Sequence, residues 1–182
     1  MDAQIFSLIY LMGGYIAVAG VWLFAAGKTH KISLLMRARA TGTIQSLMCA
    51  LHLISGLFFP LVLEPDIPIR AFGLSLFTLG FFIAVWGRLA MKSVWGLPGT
   101  FDAHTQNRLL MRGPFAHTRN PIYVGIILMH FGTAIALQSV FLPIVFLLYI
   151  HLFFQVRREE AHMEAHFQGD FVQYRQHVPR FI

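Results

Sequence analysis

The chain has 182 residues, 57% of them hydrophobic and only 12% charged, with a formal net charge of +6. Ordinary soluble domains carry roughly a quarter of their residues as charged groups, so this composition excludes a typical soluble domain and points to a small integral membrane protein. A single cysteine, Cys49, excludes an internal disulfide.

Hydropathy divides the chain into five apolar segments, at residues 5–26, 44–63, 71–91, 122–138 and 140–156. A membrane-spanning helix needs about 20 residues. The first three segments meet that length. The last two are shorter and are joined by Gln138-Ser139, which predicts a tight helical hairpin. Pro143 falls in the first turn of the fifth segment, where a missing N–H costs nothing. The first segment lacks a basic flank and is too long for the apolar core of a signal peptide. Cys49 sits inside the second segment and is expected to pack as a small apolar group. The expected fold is an all-α integral membrane protein with five transmembrane helices and a C-terminal helical tail. It forms one domain over 1–182. Residues 1–91 hold three N-terminal transmembrane helices, and 92–182 hold a connector, the helical hairpin and the tail.

Charge orients these spans. Lys28, Lys31, Arg37 and Arg39 follow segment one. Arg88, Lys92, Arg108, Arg112 and Arg119 surround the connector. Arg157, Arg158, Arg175 and Arg180 lie in the tail. Five spans place 13 of the 14 basic residues on one side, with Arg70 alone opposite. By the positive-inside rule that side is cytoplasmic and the N-terminus is outside, and the expected location is the inner (cytoplasmic) membrane. The positive charge then needs no nucleic acid partner, since it serves orientation and attraction to anionic headgroups.

Polar residues gather after Arg88, so a site is expected at the cytoplasmic surface. The connector, 92–121, contains Gly96, Pro98, Gly99, Gly113 and Pro114, which break regular structure. Its GLPG stretch lacks the Gly-Lys-Ser/Thr ending of a phosphate loop, and no strand–glycine-loop–helix unit is present to make a doubly wound cofactor fold.

The connector ends in Arg119-Asn120-Pro121-Ile122-Tyr123-Val124-Gly125 (RNPIYVG). Pro121 suits a first helical turn and holds Asn120 extended, which makes Asn120 an expected N-cap. Arg119 beside the free helix amides makes an anion site. Gly125 permits close approach of another group. In the tail, Glu159-Glu160 is the one adjacent acidic pair. His162 and His166 flank Glu164 but lack the zincin pattern, and no metal is expected. His52, His130 and His151 lie within apolar runs and read as neutral, hydrogen-bonded core residues.

RNPIYVG resembles the Arg-His-Pro-x-Tyr-x-Gly motif of the isoprenylcysteine carboxyl methyltransferase family, membrane enzymes related to phospholipid methyltransferases. The resemblance extends in order through Gly113-Pro114-Phe115, Glu159-Glu160, Phe167, Phe171, Tyr174 and Val178-Pro179-Arg180, covering roughly residues 88–182. Three positions depart from the pattern. Asn120 replaces the histidine and cannot relay a proton, Phe171 replaces a tyrosine, and Gly169 sits one place late.

The resemblance implies S-adenosylmethionine as methyl donor, with S-adenosylhomocysteine as product. It implies donor binding by Gly113, Pro114, Phe115, His117, Arg119, Asn120, Pro121, Tyr123, Gly125, Glu159 and Glu160. Arg119, Tyr123 and Glu160 are the expected catalytic residues, and Trp95, Tyr174 and Arg180 are expected against the acceptor. Arg119 or the helix amides suit the donor carboxylate. Glu159 or Glu160 suits its ammonium or a ribose hydroxyl, and Tyr123, Phe115 and Trp95 offer faces for adenine or sulfonium. The implied acceptor is a lipophilic small molecule or lipid bearing a carboxylate, an amine or a thiol. A carboxylate needs only orientation, by Arg180, whereas a thiol or ammonium must lose a proton, with His117 or a tail glutamate to assist. Two other classes fit the composition: an NADPH-dependent membrane reductase of the sterol-reductase type, which binds a nicotinamide cofactor instead, and a non-enzymatic adaptor or small transporter.

Overall fold

The computed structural model describes residues 3–25, 39–59, 67–91 and 108–181. These residues form six α-helices and one 3₁₀ turn, with no strand among them. The helices are α1 (Ala3–Ala25), α2 (Arg39–Phe58), α3 (Ile67–Met91), α4 (Pro121–Ala136), α5 (Ile144–Phe167) and α6 (Gly169–His177), and the 3₁₀ turn is Gly113–Ala116. Among the described residues, two helices are long and apolar enough to cross a membrane, over Ala3–Phe24 and Ile67–Met91, while Gln45–Phe58 and Pro121–Ala136 are shorter apolar helices. Trp95 and the GLPG stretch lie outside the described residues.

The centre of the bundle is α4, buried along most of its length from Pro121 to Ala136. Its tightest neighbour is α3, which runs antiparallel to it. Gly73, Gly80 and Gly87 recur every seven residues on α3, two helical turns apart, and so share one face. A Cβ on Gly80 would lie 2.6 Å from the Gly125 carbonyl oxygen, and one on Gly125 would lie 2.5 Å from the Gly80 oxygen. Gly73 and Gly132 meet in the same way, and Gly87 faces Pro121 and Ile122. Small residues let two backbones touch where lipid leaves no hydrophobic drive for helix association.

The other helices surround this pair. On α1, Gly14 accommodates the Phe77 ring and the Tyr10 hydroxyl meets Thr78 Oγ1 at 2.7 Å. On α2, Gly56 packs against Leu137, and Gln4 of α1 donates to the Gly56 carbonyl. Outward faces remain apolar: Ile9, Ile16, Phe24, Phe58, Phe72, Phe82, Leu147 and Phe154 are all exposed. Such a continuous apolar exterior requires a nonaqueous surrounding, as expected for an integral membrane protein.

The fifth apolar segment differs from the sequence expectation at its start, and at its end it runs without a break into the expected helical tail. The link between α4 and α5 is a run of turns over 137–143, with Gln138 at a positive φ of 49°, rather than two residues. The helix also continues past residue 156 to Phe167. Hydropathy ends where Arg157 begins, but the following Glu, Ala, His and Met residues sustain helical hydrogen bonding. The buried stripe of α5 is Val145, Leu148, Leu152, Val156 and Glu160. Spacings of three and four keep one face inward, so helical periodicity delivers the Glu160 carboxylate to the core side. From Pro121 to Ala136 and from Ile144 to Glu160 the two hairpin arms each rise about 24 Å at 1.5 Å per residue. Glu160 therefore returns to the level where α4 begins.

Candidate functional site

The site is assembled where α4 starts, α5 returns and the tail folds back. Asn120 occupies the N-cap position of α4 and Pro121 its first turn, as expected, but the Asn120 side chain makes no capping hydrogen bond. It reaches into the tail instead. Nδ2 donates to Glu160 Oε1 at 3.2 Å and to the Arg180 carbonyl at 3.0 Å. A primary amide has two N–H donors, whereas a neutral imidazole has one. Asparagine thus serves two acceptors at once without titrating, which accounts for its presence at this position.

Arg119 is turned the same way. Nε donates to Glu160 Oε1 at 3.0 Å and Nη2 to Oε2 at 3.4 Å. Nη1 donates to the carbonyls of Arg175, at 3.0 Å, and Val178, at 3.2 Å. Those carbonyls belong to the last turn of α6 and the residue after it, where helix carbonyls lack internal partners and the dipole favours a cation. The Arg119 backbone N–H adds a bond to the Pro179 oxygen at 2.9 Å. Thr118 Oγ1 donates to the Arg180 carbonyl at 3.1 Å and accepts from the Asn120 N–H at 3.2 Å. Every nitrogen of the Arg119 guanidinium is engaged within the protein. Its partners are Glu160 and the tail, so the residue fastens the wall of the site. The sequence expectation had pointed it at a bound carboxylate.

Glu160 is the hub. Arg180 Nε donates to its Oε2 at 2.9 Å and Nη2 approaches the same oxygen at 2.8 Å. Glu160 and Arg119 side chains are each only 10% exposed, while that of Arg180 is 32% exposed. The Arg180 guanidinium also lies 5.3 Å from the centre of the Phe153 ring, and Arg157 lies 5.9 Å from that ring. Phe181 packs against Tyr149 and Phe153 beside them.

Glu159, one residue earlier, faces a different set. Tyr123 donates its hydroxyl to Glu159 Oε1 at 2.6 Å, and Gln155 Nε2 donates to the Tyr123 oxygen at 2.9 Å and to Glu159 Oε1 at 3.3 Å. Sequence reading did not select Gln155. The available signal was a lone amide in an apolar run, four residues and one helical turn before Glu159.

The remaining expected residues divide. Gly113 has a φ of +64° and opens the 3₁₀ turn, with Pro114 and Phe115 buried behind it. Tyr174 donates its hydroxyl to the Phe115 carbonyl at 2.6 Å, tying α6 to that turn. Burial pushes the Tyr174 pKa up to about 12, with the Arg119 charge opposing the rise and the Glu160 charge adding to it. Phe171 packs against the Tyr174 ring, 1% exposed, so a hydroxyl there would enter a closed apolar contact. His117 is exposed. Gly125 faces α3 and not the carboxylates. Arg119, Asn120, Glu160 and Arg180 are thus gathered into one cluster, Tyr123 and Glu159 form an adjoining hydrogen-bonded set, Tyr174 ties the Gly113 to Phe115 turn to α6, and Gly125 faces α3. Of the apolar-run histidines, His52 and His130 are buried, while His151 is exposed on α5.

A family model described as phospholipid methyltransferase matches residues 69–170, more than half of the chain. The match runs from α3 into the start of α6 and includes RNPIYVG and Glu159-Glu160, while Tyr174 and Arg180 lie beyond it. No curated protein and no solved structure matches the chain.

Proposed function

The chain belongs to the phospholipid methyltransferase family, which implies membrane methyltransferase activity on lipid-type acceptors, and on that premise we propose a specific reading. The protein is a five-span, S-adenosylmethionine-dependent methyltransferase of the inner membrane. Its N-terminus is outside, its site faces the cytoplasm, and it methylates a lipophilic carboxylate, amine or thiol. The charge distribution along the chain supports this orientation.

The observation that carries the reading is the convergence of Glu159, Glu160, Tyr123 and Arg180 on the start of α4. The charges suit a zwitterionic donor. Arg119, Glu160 and Arg180 together leave one surplus positive charge, and Arg180 is the more exposed of the two cations. Arg180 is then the group for the donor carboxylate, with Arg119 holding Glu160 and the tail behind it. Glu159 accepts hydrogen bonds from Tyr123 and Gln155, and a carboxylate held there suits the donor ammonium or a ribose hydroxyl. When bound, S-adenosylmethionine supplies an electrophilic methyl group on a sulfonium. The protein's part is positioning and exclusion of water. Tyr123 is held by two hydrogen bonds and keeps its ring fixed beside Glu159. The aromatic strip of Tyr149, Phe153 and Phe181 gives the acceptor an apolar path from the bilayer.

Calorimetric titration of the detergent-solubilised protein with S-adenosylhomocysteine is expected to show roughly micromolar affinity, usual for metabolite sites. No heat and no thermal shift would sink this reading. Transfer of a labelled methyl group into lipid and small-molecule extracts then identifies the acceptor.

A further inference from the structure

A second polar cluster lies away from the carboxylates, inside the bundle. It joins Tyr15 of α1, His52 of α2, His130 and Thr133 of α4, and Gln138 and Ser139 of the following turn. His52, Thr133 and Ser139 are 0% exposed, His130 is 1% and Gln138 is 5%. Polar groups inside a membrane bundle are costly and call for an account.

Their hydrogen bonds fix a direction. Thr133 Oγ1 donates to the Met129 carbonyl at 2.8 Å, which spends its one proton. The Tyr15 hydroxyl, 3.0 Å from Thr133 Oγ1, must therefore donate to it. The Tyr15 oxygen is then left to accept from His130 Nδ1 at 3.5 Å. A neutral His130 protonated at Nδ1 carries a lone pair on Nε2. The other side runs the same way. Ser139 Oγ accepts the Phe141 N–H at 3.2 Å and lies 3.0 Å from His52 Nδ1. The arrangement that leaves no hydroxyl proton unpaired has Ser139 donating to His52 Nδ1. A neutral His52 then carries its proton on Nε2.

His52 Nε2 has no hydrogen-bond partner, and neither amide atom of Gln138, adjacent to Ser139, has one. Buried polar groups are nearly always satisfied, by ordered water where protein is lacking. The His52 and His130 rings are tilted by 46° with centroids 6.4 Å apart. Two imidazoles in direct N–H to N contact along their axes would bring the centroids about 5 Å apart, given the usual bond near 2.9 Å. The wider separation suits one interposed oxygen. A hydroxyl oxygen accepts from one side and donates to the other, which is the combination that His52 and His130 present.

We propose that a single hydroxyl oxygen, supplied by water or by a lipid alcohol, binds between His52 Nε2 and His130 Nε2 within the bundle. It completes a one-directional relay from the Phe141 amide through Ser139, His52, His130, Tyr15 and Thr133 to the Met129 carbonyl. The site is independent of the methyltransferase reading and survives if that reading fails.

The test uses the full-length protein, labelled with nitrogen-15 at histidine, in phosphatidylcholine nanodiscs, whose lipid carries no hydroxyl. Long-range proton–nitrogen spectra, assigned with His52→Gln and His130→Gln, report each tautomer. His52 is expected to be protonated at Nε2 and His130 at Nδ1. The His52 Nε2 proton is expected to show contact with water, and added 1-dodecanol distinguishes the two sources. If the water contact persists the oxygen is water, and if a contact to the alcohol methylene replaces it the site takes a lipid alcohol. The same tautomer at both histidines, or an Nε2 proton contacting neither water nor alcohol, overturns the proposal. The tautomers are read in the unsubstituted chain and the variants serve only for assignment; where either fails to fold, His52→Asn or His130→Asn assigns the same signal.

Discussion

At the N-terminal end of α4, Arg119, Asn120, Glu160 and Arg180 form one charged, hydrogen-bonded cluster. Toward its C-terminal end the polar groups are neutral, and His52 and Gln138 keep atoms without partners. The difference follows what each region must hold. At the first end Arg119 and Asn120 grip the backbone carbonyls of Arg175, Val178 and Arg180. Such a grip is insensitive to the side chains of the tail and fixes a segment distant in sequence. At the second, helices already in backbone contact need no ionic fastening, and neutral groups suffice. Arg70 is the exception, and it follows the same rule as Arg119: buried, it donates to the Ala136 carbonyl at 3.3 Å, at the last turn of α4.

The contrast predicts unequal consequences. Glu160→Gln should have the largest effect, because it leaves two guanidiniums facing one another without their shared anion. Breaking a buried ion pair from one side costs about 3–5 kcal/mol. The expected result is a large drop in thermal stability in detergent, with the tail beyond residue 168 becoming protease-sensitive. Ser139→Ala at the other end removes two neutral hydrogen bonds, with His52 and from the Phe141 N–H, each worth about 1 kcal/mol. Equal losses from the two substitutions would break the comparison.

Gly125→Ala comes next. The added methyl would lie 2.5 Å from the Gly80 carbonyl oxygen, so α3 and α4 must separate, at a cost of about 1–3 kcal/mol. Gly169→Ala is its control, since a Cβ there meets nothing within 4 Å. Stability loss confined to Gly125 assigns this glycine to helix packing. Loss of S-adenosylhomocysteine affinity with unchanged stability would return it to the binding site.

Tyr123→Phe sharpens the functional side. It removes the bond to Glu159 and the bond from Gln155 while keeping the ring, for a loss of about 1–2 kcal/mol. Calorimetry should show weakened S-adenosylhomocysteine binding by a folded protein. Unchanged affinity would separate Tyr123 from the donor site.

Tyr174 adds a pH signature. Its pKa is raised to about 12 in the folded protein, from an ordinary value near 10. The neutral hydroxyl therefore contributes stability that is complete below pH about 10 and is lost as pH rises through about 12. Denaturation midpoints should fall across that window and fall less in Tyr174→Phe, which also loses the bond to Phe115.

How much of this could be read from sequence depends on which force sets each feature. Hydropathy located the segment at 5–26 against Ala3–Ala25, and the one at 71–91 against Ile67–Met91, because bilayer thickness constrains apolar length directly. It ended the fifth segment eleven residues early, because backbone hydrogen bonding continues where apolarity stops. Glu160 stood out in the sequence as half of the one adjacent acidic pair, and helical spacing from Val156 accounts for its burial. The partners of Asn120 and Arg119 were not legible. They include main-chain carbonyls 55 or more residues away along the chain, which carry no side-chain signature. The relay through His52 and His130 depends on which atom spends which proton, and composition does not encode that.

The smallest effect is expected from Glu164→Gln, which tests whether burial or charge pairing explains the strength of the first cluster. Glu164 and Arg175 pair at 2.6 Å, closer than Arg119 and Glu160 at 3.0 Å, so distance alone predicts the stronger interaction here. But the Glu164 and Arg175 side chains are 41% and 43% exposed, against 10% for both members of the other pair. Water screens the exposed pair, and ordering two long side chains offsets much of the gain, which leaves about 0–1 kcal/mol. Removing the charge also leaves no buried cation, because Arg175 turns to solvent. Glu164→Gln should therefore shift the melting temperature barely or not at all, in the same detergent and salt where Glu160→Gln shifts it strongly. Raising the salt concentration should erase any residual Glu164 effect while leaving most of the Glu160 effect in place. If both effects vanish together in salt, the cluster at the start of α4 is solvated and its rigidity has another source.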